Sequence, residues 1–214
     1  SSAARWSDAL ASFDRALAIL PGAPRVRCEA GYVAHRVGQE QRAARDLDLA
    51  LSLLPDPENV PSELRVPLAM CLFNRGLVHE ALDEPGRAAT RYRASLAVRP
   101  HPAVRARLDA LTARLRRAAA GLGRSATVAD LADAVSRAYV GCSTVECEEG
   151  DEEAPGIEEV APPRGESRPE GVVLFDVTMP GYQVETIGTI AAIRSAGGWG
   201  LFELEMAESA TTDG

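Results

Sequence analysis

Residues 24–55 read PRVRCEAGYVAHRVGQEQRAARDLDLALSLLP, with Gly31, Gly38, Ala43, Leu47, Ala50 and Pro55 as fixed points. Small residues stand where two helices would touch, apolar residues recur three and four apart, and a proline closes the stretch. This pattern predicts a helix-turn-helix unit. Such a unit cannot bury its apolar faces alone, so it predicts copies of itself on either side.

The copies are there. Upstream, Ala9, Phe13, Ala16 and Pro21 have the mutual spacing of Ala43, Leu47, Ala50 and Pro55, each 34 residues earlier. Trp6 falls on the bulky position that opens the second helix of a unit, and the first helix of that unit is not in the sequence. The chain is therefore expected either to begin inside a longer array or to lack an N-terminal helix. Downstream, Gly76, Ala88, Tyr92, Ser95 and Pro100 repeat the central stretch at an offset of 45 residues, one period of 34 plus an insertion of 11. The insertion, DPENVPSELRV, is expected to extend the next helix, with Ser62 as N-cap and Glu63 in the first turn. Asp83 and Pro85 replace Gly38 and Glu40 in this copy, and a proline there suits the start of a second helix.

A 34-residue period with small residues at the contact positions and a closing proline resembles the tetratricopeptide (TPR) repeat. The resemblance implies a mainly α fold: a short right-handed TPR-type α-solenoid of about two and a half repeats over residues 1–120. Val104, Leu108, Leu111 and Leu115 predict an amphipathic helix ending at Gly121, read as the capping helix of the solenoid. A further helix is expected within 121–142, with Thr127 as its N-cap.

Composition changes after that. Residues 1–142 carry a net charge of +5, residues 143–170 a net −8, and residues 171–214 a net −5. The middle segment, with its acidic clusters and few large apolar residues, reads as a disordered acidic linker. In the last segment, Phe175 to Val177, then Ile187, Ile190, Ala192, Ile193 and Arg194, then Gly198, Gly200, Leu201 and Glu203, resemble the first half of the C-terminal domain of the bacterial ribosomal stalk protein. That resemblance implies a small, incomplete α/β element: a strand followed by two helices that meet at a Gly-x-Gly-Leu corner. It also raises a translation-associated, factor-binding role. The family's binding surface is rich in lysine, whereas Thr186, Ala191, Phe202 and Glu205 stand at the matching positions here and only Arg194 is basic.

Several function classes lack residues to carry them. The sequence has no Gly-rich phosphate loop after a strand, no Gly-x-Ser-x-Gly elbow and no His-Glu-x-x-His helix, and the expectation is that the chain is not an enzyme and takes no cofactor. Cys28, Cys71, Cys142 and Cys147 have neither disulfide-framework nor metal-ligand spacing, and His35, His79 and His101 stand apart from them, so reduced thiols and no metal site are expected. No apolar run of 18 residues and no signal pattern occurs, which leaves a cytoplasmic protein as the expectation. All 23 basic residues are arginine, a usage suggesting a GC-rich bacterial source.

Binding is the class that remains. The TPR resemblance implies that the first helix of each repeat lines a concave groove, which would bring Arg25, Cys28, Tyr32, His35 and Arg36 from one repeat together with Phe73, Leu77 and Glu80 from the next. The capping helix would add Arg107 and Arg114. Aromatic faces with guanidinium donors suit a protein or extended peptide partner bearing acidic side chains or a free carboxylate. Ten arginines against the single acid Asp109 between residues 87 and 124 read as a solvated face or as a clamp for the acidic linker or the C-terminal tail. Nucleic acid is disfavoured because no base-stacking aromatics interleave the arginines.

Overall fold

The computed structural model describes residues 2–123, 125–139, 156–161, 167–179, 184–196 and 198–210. Helix α1 (Ser2–Ile19) is followed by α2 (Pro24–Arg36), which starts on a proline whose fixed φ suits a first turn and which has no N–H to leave unpaired. The helix ends in a Schellman turn. Gly38 adopts φ +77°, its N–H donates to the His35 carbonyl at 3.0 Å, and the Gln39 N–H reaches the Ala34 carbonyl at 2.9 Å. Helix α3 (Glu40–Ser52) then runs back along α2.

The same construction recurs in α4 (Arg65–Ala81) and α5 (Pro85–Val98). Asp83 occupies the place of Gly38 and takes φ +60°, a region that aspartate tolerates better than most side chains. Pro85 opens α5 as its sequence position suggested. The insertion differs from expectation: residues 57–59 and 62–64 form two single 3₁₀ turns, and α4 begins only at Arg65. Pro57 and Pro61 explain this, because the residue before a proline is pushed out of the helical region. Ser62 is no cap; its hydroxyl lies 3.1 Å from Glu63 Oε2.

Each pair is joined by a glycine pressed against one large side chain. A Cβ on Gly31 would lie 2.6 Å from Leu47 Cγ, and a Cβ on Gly76 would lie 2.4 Å from Tyr92 Cε1. The two contacts are 45 residues apart, like the sequence copies. Ala43, Leu47, Ala50, Ala88, Tyr92 and Ser95, the apolar or small fixed points of the second helices, are all buried. One core cluster joins Leu10 of α1 to Cys28, Val33 and Ala34 of α2, Ala43, Leu47 and Ala50 of α3, and Cys71 and Val78 of α4. Charged pairs reinforce it. Arg75 of α4 grips Asp48 of α3 with two bonds of 2.7 and 3.1 Å, and Arg27 of α2 reaches Asp46 of α3 at 3.3 Å.

Helix α6 spans Pro102–Arg116 and α7 spans Val128–Tyr139. Val104, Leu108, Leu111 and Leu115 are all buried, and α6 gives way to turns before Gly121. The chain divides into two compact units, residues 1–83 with 88–108 and residues 84–87 with 109–214. Among the described residues no helix is long and apolar enough to cross a membrane.

Thr127 caps α7 as expected, in a reciprocal box: the Asp130 carboxylate accepts the Thr127 N–H (2.7 Å) and hydroxyl (2.8 Å), while the Asp130 N–H donates to Thr127 Oγ1 (3.2 Å). The backbone bond, then the hydroxyl bond, hold the Asp130 carboxyl below its ordinary pKa. A depressed folded-state pKa contributes stability above the unfolded value of about 3.9 and loses it as pH falls through the lowered one. Asp130→Asn should therefore flatten the acid limb of an unfolding titration below about pH 4 and leave the neutral limb parallel to wild type. Superimposable acid limbs would remove the box from the stability of α7.

The C-terminal segment requires the main correction. Residues expected as two helices are strands: β2 (Val172–Met179), β3 (Val184–Ser195) and β4 (Gly198–Ala210) form an antiparallel meander with β1 (Gly156–Glu159) on its outer edge. Half of β3 is β-branched, a composition that packs well on a pleated surface and loses rotamer freedom in a helix. Phe175, Val177, Ile190, Ala192, Trp199 and Leu201 are buried and share one face of the register. The supposed helix corner is the β3–β4 hairpin, where Gly198 takes φ +107° and Ser195 Oγ donates to its carbonyl at 3.1 Å. Strand β1 lies inside the stretch read as disordered linker, and Arg168 holds its Glu159 at 2.9 Å. The acidic cluster from Glu146 to Glu153 lies outside the described residues, as do Cys142 and Cys147.

Candidate functional site

Within the first unit, α2, α4 and the α5–α6 connection line a half-open cavity of about 480 Å³. Helical spacing supplies its walls: Glu29 and Tyr32 are three apart on α2, and Met70, Phe73 and Asn74 are three and four apart on α4. Val104 of α6 adds an apolar patch, and Arg99 and His101 line it from the α5–α6 connection. The volume lies in the range of pockets that take up a ligand of small-molecule size.

Its aromatic wall is braced from behind. The Phe73 ring sits 5.5 Å from that of Tyr92, tilted by 34°. Tyr92 is fully buried, and its hydroxyl donates to Glu80 Oε1 at 2.8 Å. Arg107 grips the same carboxylate through Nε and Nη2, both at 2.8 Å, so one glutamate on α4 anchors α5 and α6 together. Burial, then the bond to Glu80, push the Tyr92 hydroxyl above its ordinary pKa and keep it a donor; the bond to Glu80 raises Arg107 further. Ser95 is spent on the Ala69 carbonyl at 2.8 Å. Asn74 is 6% exposed, and among the described residues its Nδ2 meets only the weak acceptor Cys28 Sγ, at 3.9 Å.

Of the residues expected in the groove, Tyr32 and Phe73 meet in the cavity. Arg25 and Cys28 line a smaller depression of about 40 Å³ that shares Glu29 and Met70 with it. His35 does not line it. Its Nδ1 sits 2.8 Å from Glu40 Oε2 across the α2–α3 turn. Arg36 lies over Trp6, with its guanidinium carbon 4.8 Å from the ring centroid, and donates to the Tyr32 hydroxyl at 2.9 Å. Arg107 is engaged by Glu80, and Arg114 belongs to the second unit.

The arginine-rich run is less isolated from acids than its own residues suggest. Glu80 on α4 answers Arg107, Glu84 answers Arg87 at 3.8 Å, and Arg116 stacks 5.6 Å from the Phe202 ring. Glu29, Met70 and Asn74 were legible as helical neighbours of Tyr32 and Phe73. Arg99 and His101 were not, because a loop brings them in.

Among the described residues no three His, Cys, Asp or Glu side chains gather closely enough to hold a metal ion. No family model, curated protein or solved structure matches the chain.

Proposed function

We propose that the helical unit is a TPR-type module that works by equilibrium binding rather than catalysis, and that it takes a peptide segment of a protein partner. The observation that carries this reading is the cavity itself: two aromatic walls, Tyr32 and Phe73, come from α2 and α4, the first helices of consecutive pairs, and arginine stands beside the apolar space. The 34-residue spacing of the N-terminal copy and the twofold use of a glycine against a large side chain support the repeat assignment. The space accommodates a bulky apolar side chain, while Arg99 and the neighbouring Arg25 outnumber Glu29 and favour acidic residues beside that anchor.

Selection from a displayed peptide library tests this on the whole chain. Enriched peptides should share an aromatic or branched aliphatic anchor with acids one to three residues away. Met70 lines the cavity and is 43% exposed, so Met70→Glu should leave folding intact. It buries a charge against the anchor and should weaken the selected peptides by at least about tenfold. Equal affinity for wild type and Met70→Glu would place binding elsewhere.

A further inference from the structure

The half-open cavity carries, in its deeper part, a polar group that the protein leaves short of partners. Ala69, Asn74, Ser95 and Val104 line that part and are buried, whereas Met70 and Arg99 are exposed at the mouth. The Ser95 hydroxyl is already engaged by the Ala69 carbonyl, and the Tyr32 hydroxyl on the wall by Arg36. Glu29 is only half-buried, on the side where the cavity meets the Arg25 depression. Asn74 differs from all of these. Its Nδ2 has the weak sulfur contact at 3.9 Å, and among the described residues no group bonds its Oδ1. An apolar ligand filling the cavity would strip water from this amide and return no hydrogen bond, which costs more than the bond itself contributes. A phenol avoids that cost. Its hydroxyl donates to an amide oxygen and accepts from an amide nitrogen, at the tip of a ring whose body suits apolar walls such as Phe73 and Val104.

We propose that Asn74 determines the specificity of the cavity, and that the anchor it selects is a tyrosine side chain whose hydroxyl meets the Asn74 amide. The assignment rests on the peptide-binding reading for the molecule that carries the tyrosine; the preference for a phenol belongs to the cavity. If Asn74 only packed α4 against Cys28 of α2, the cavity would not distinguish a phenol from a phenyl ring. If its amide held the main chain of a peptide, it would strengthen both equally.

The test uses the full chain, isotope-labelled in nitrogen, and a pair of probes that differ by a single hydroxyl: N-acetyl-tyrosinamide and N-acetyl-phenylalaninamide. The tyrosine probe should bind about fivefold tighter or more, and it alone should shift the Asn74 side-chain amide resonance. Asn74→Leu keeps the size of the side chain without its amide and should bring the two affinities within about twofold of each other. The resonance shift in the unsubstituted protein decides the matter even if that variant does not fold. Equal affinities, no binding of the tyrosine probe, or an Asn74→Leu variant that weakens both probes alike would each overturn the proposal. Library selection separates the two readings. Selected peptides that Met70→Glu weakens, but that bind as well with phenylalanine as with tyrosine at the anchor, would sink the tyrosine assignment alone. A cavity that prefers the tyrosine probe yet selects no peptide would keep the phenol preference and sink the peptide reading.

Discussion

Gly76→Val is expected to lower the stability of the helical unit by about 3 kcal/mol or more, measured by urea denaturation at neutral pH. Even the first carbon of the new side chain would sit 2.4 Å from Tyr92 Cε1 and 2.7 Å from Cδ1, and the two further methyl groups have no space. Tyr92 cannot swing away. It is fully buried, its hydroxyl is tied to Glu80, and its ring backs Phe73. Helix propensity works against the penalty, since glycine is about 1 kcal/mol worse than alanine in a helix interior, but valine recovers only part of that. Shrinking the partner should relieve the clash, so Tyr92→Leu in the Gly76→Ala background should show a favourable coupling of about 1–2 kcal/mol. Gly22, with nothing within 4 Å of a Cβ, is the control. Gly22→Ala should change stability by no more than about 1 kcal/mol, and in the stabilising direction. If Gly76→Val and Gly22→Ala behaved alike, the two helices would not be in the contact described.

The second large effect belongs to Glu80. Glu80→Ala should cost about 2–3 kcal/mol, because the Tyr92 hydroxyl is left in a dry interior without its acceptor. Arg107→Ala, which removes the other partner of the same carboxylate, should cost no more than about 1 kcal/mol, since its side chain is 47% exposed and an exposed ion pair is worth little. Tyr92→Phe combined with Glu80→Ala should be milder than the sum of the two single changes, since neither partner then remains buried and unmatched. The ordering carries the argument: if Arg107→Ala proved as damaging as Glu80→Ala, the ion pair and not the buried hydroxyl would be the anchor. Because Phe73 leans on Tyr92, Glu80→Ala should also weaken peptides selected for the cavity.

The helical unit was legible from a few residues because helix pairs are local. Gly31 and Leu47 are sixteen residues apart, as are Gly76 and Tyr92, and both steps follow from helix length and a short turn. The end of α2 could be read from Gly38 alone, since a left-handed C-terminal turn favours glycine. Asp83 did not announce the same turn, because aspartate there bears a backbone cost that the sequence does not display.

The C-terminal element was misread for the opposite reason. Its residues align without gaps on a strand-helix-helix pattern, and the glycines of that pattern also suit a hairpin. What distinguishes the two is partnership. Ile190 stands opposite Phe175, Ala192 opposite Val173 and Leu201, and these cross-strand contacts depend on a register that no short window contains.

The candidate site divides along the same line. Tyr32 and Phe73, with Glu29, Met70 and Asn74 beside them, could be placed by helical period from the sequence alone. The loop that brings in Arg99 and His101, and the removal of His35 to Glu40 and of Arg107 to Glu80, were decided only in three dimensions. Backbone hydrogen bonding within one helix fixes which residues share a face. Which charges neutralise one another depends on helices packing across dozens of residues of sequence, where side-chain volume and desolvation set the partners.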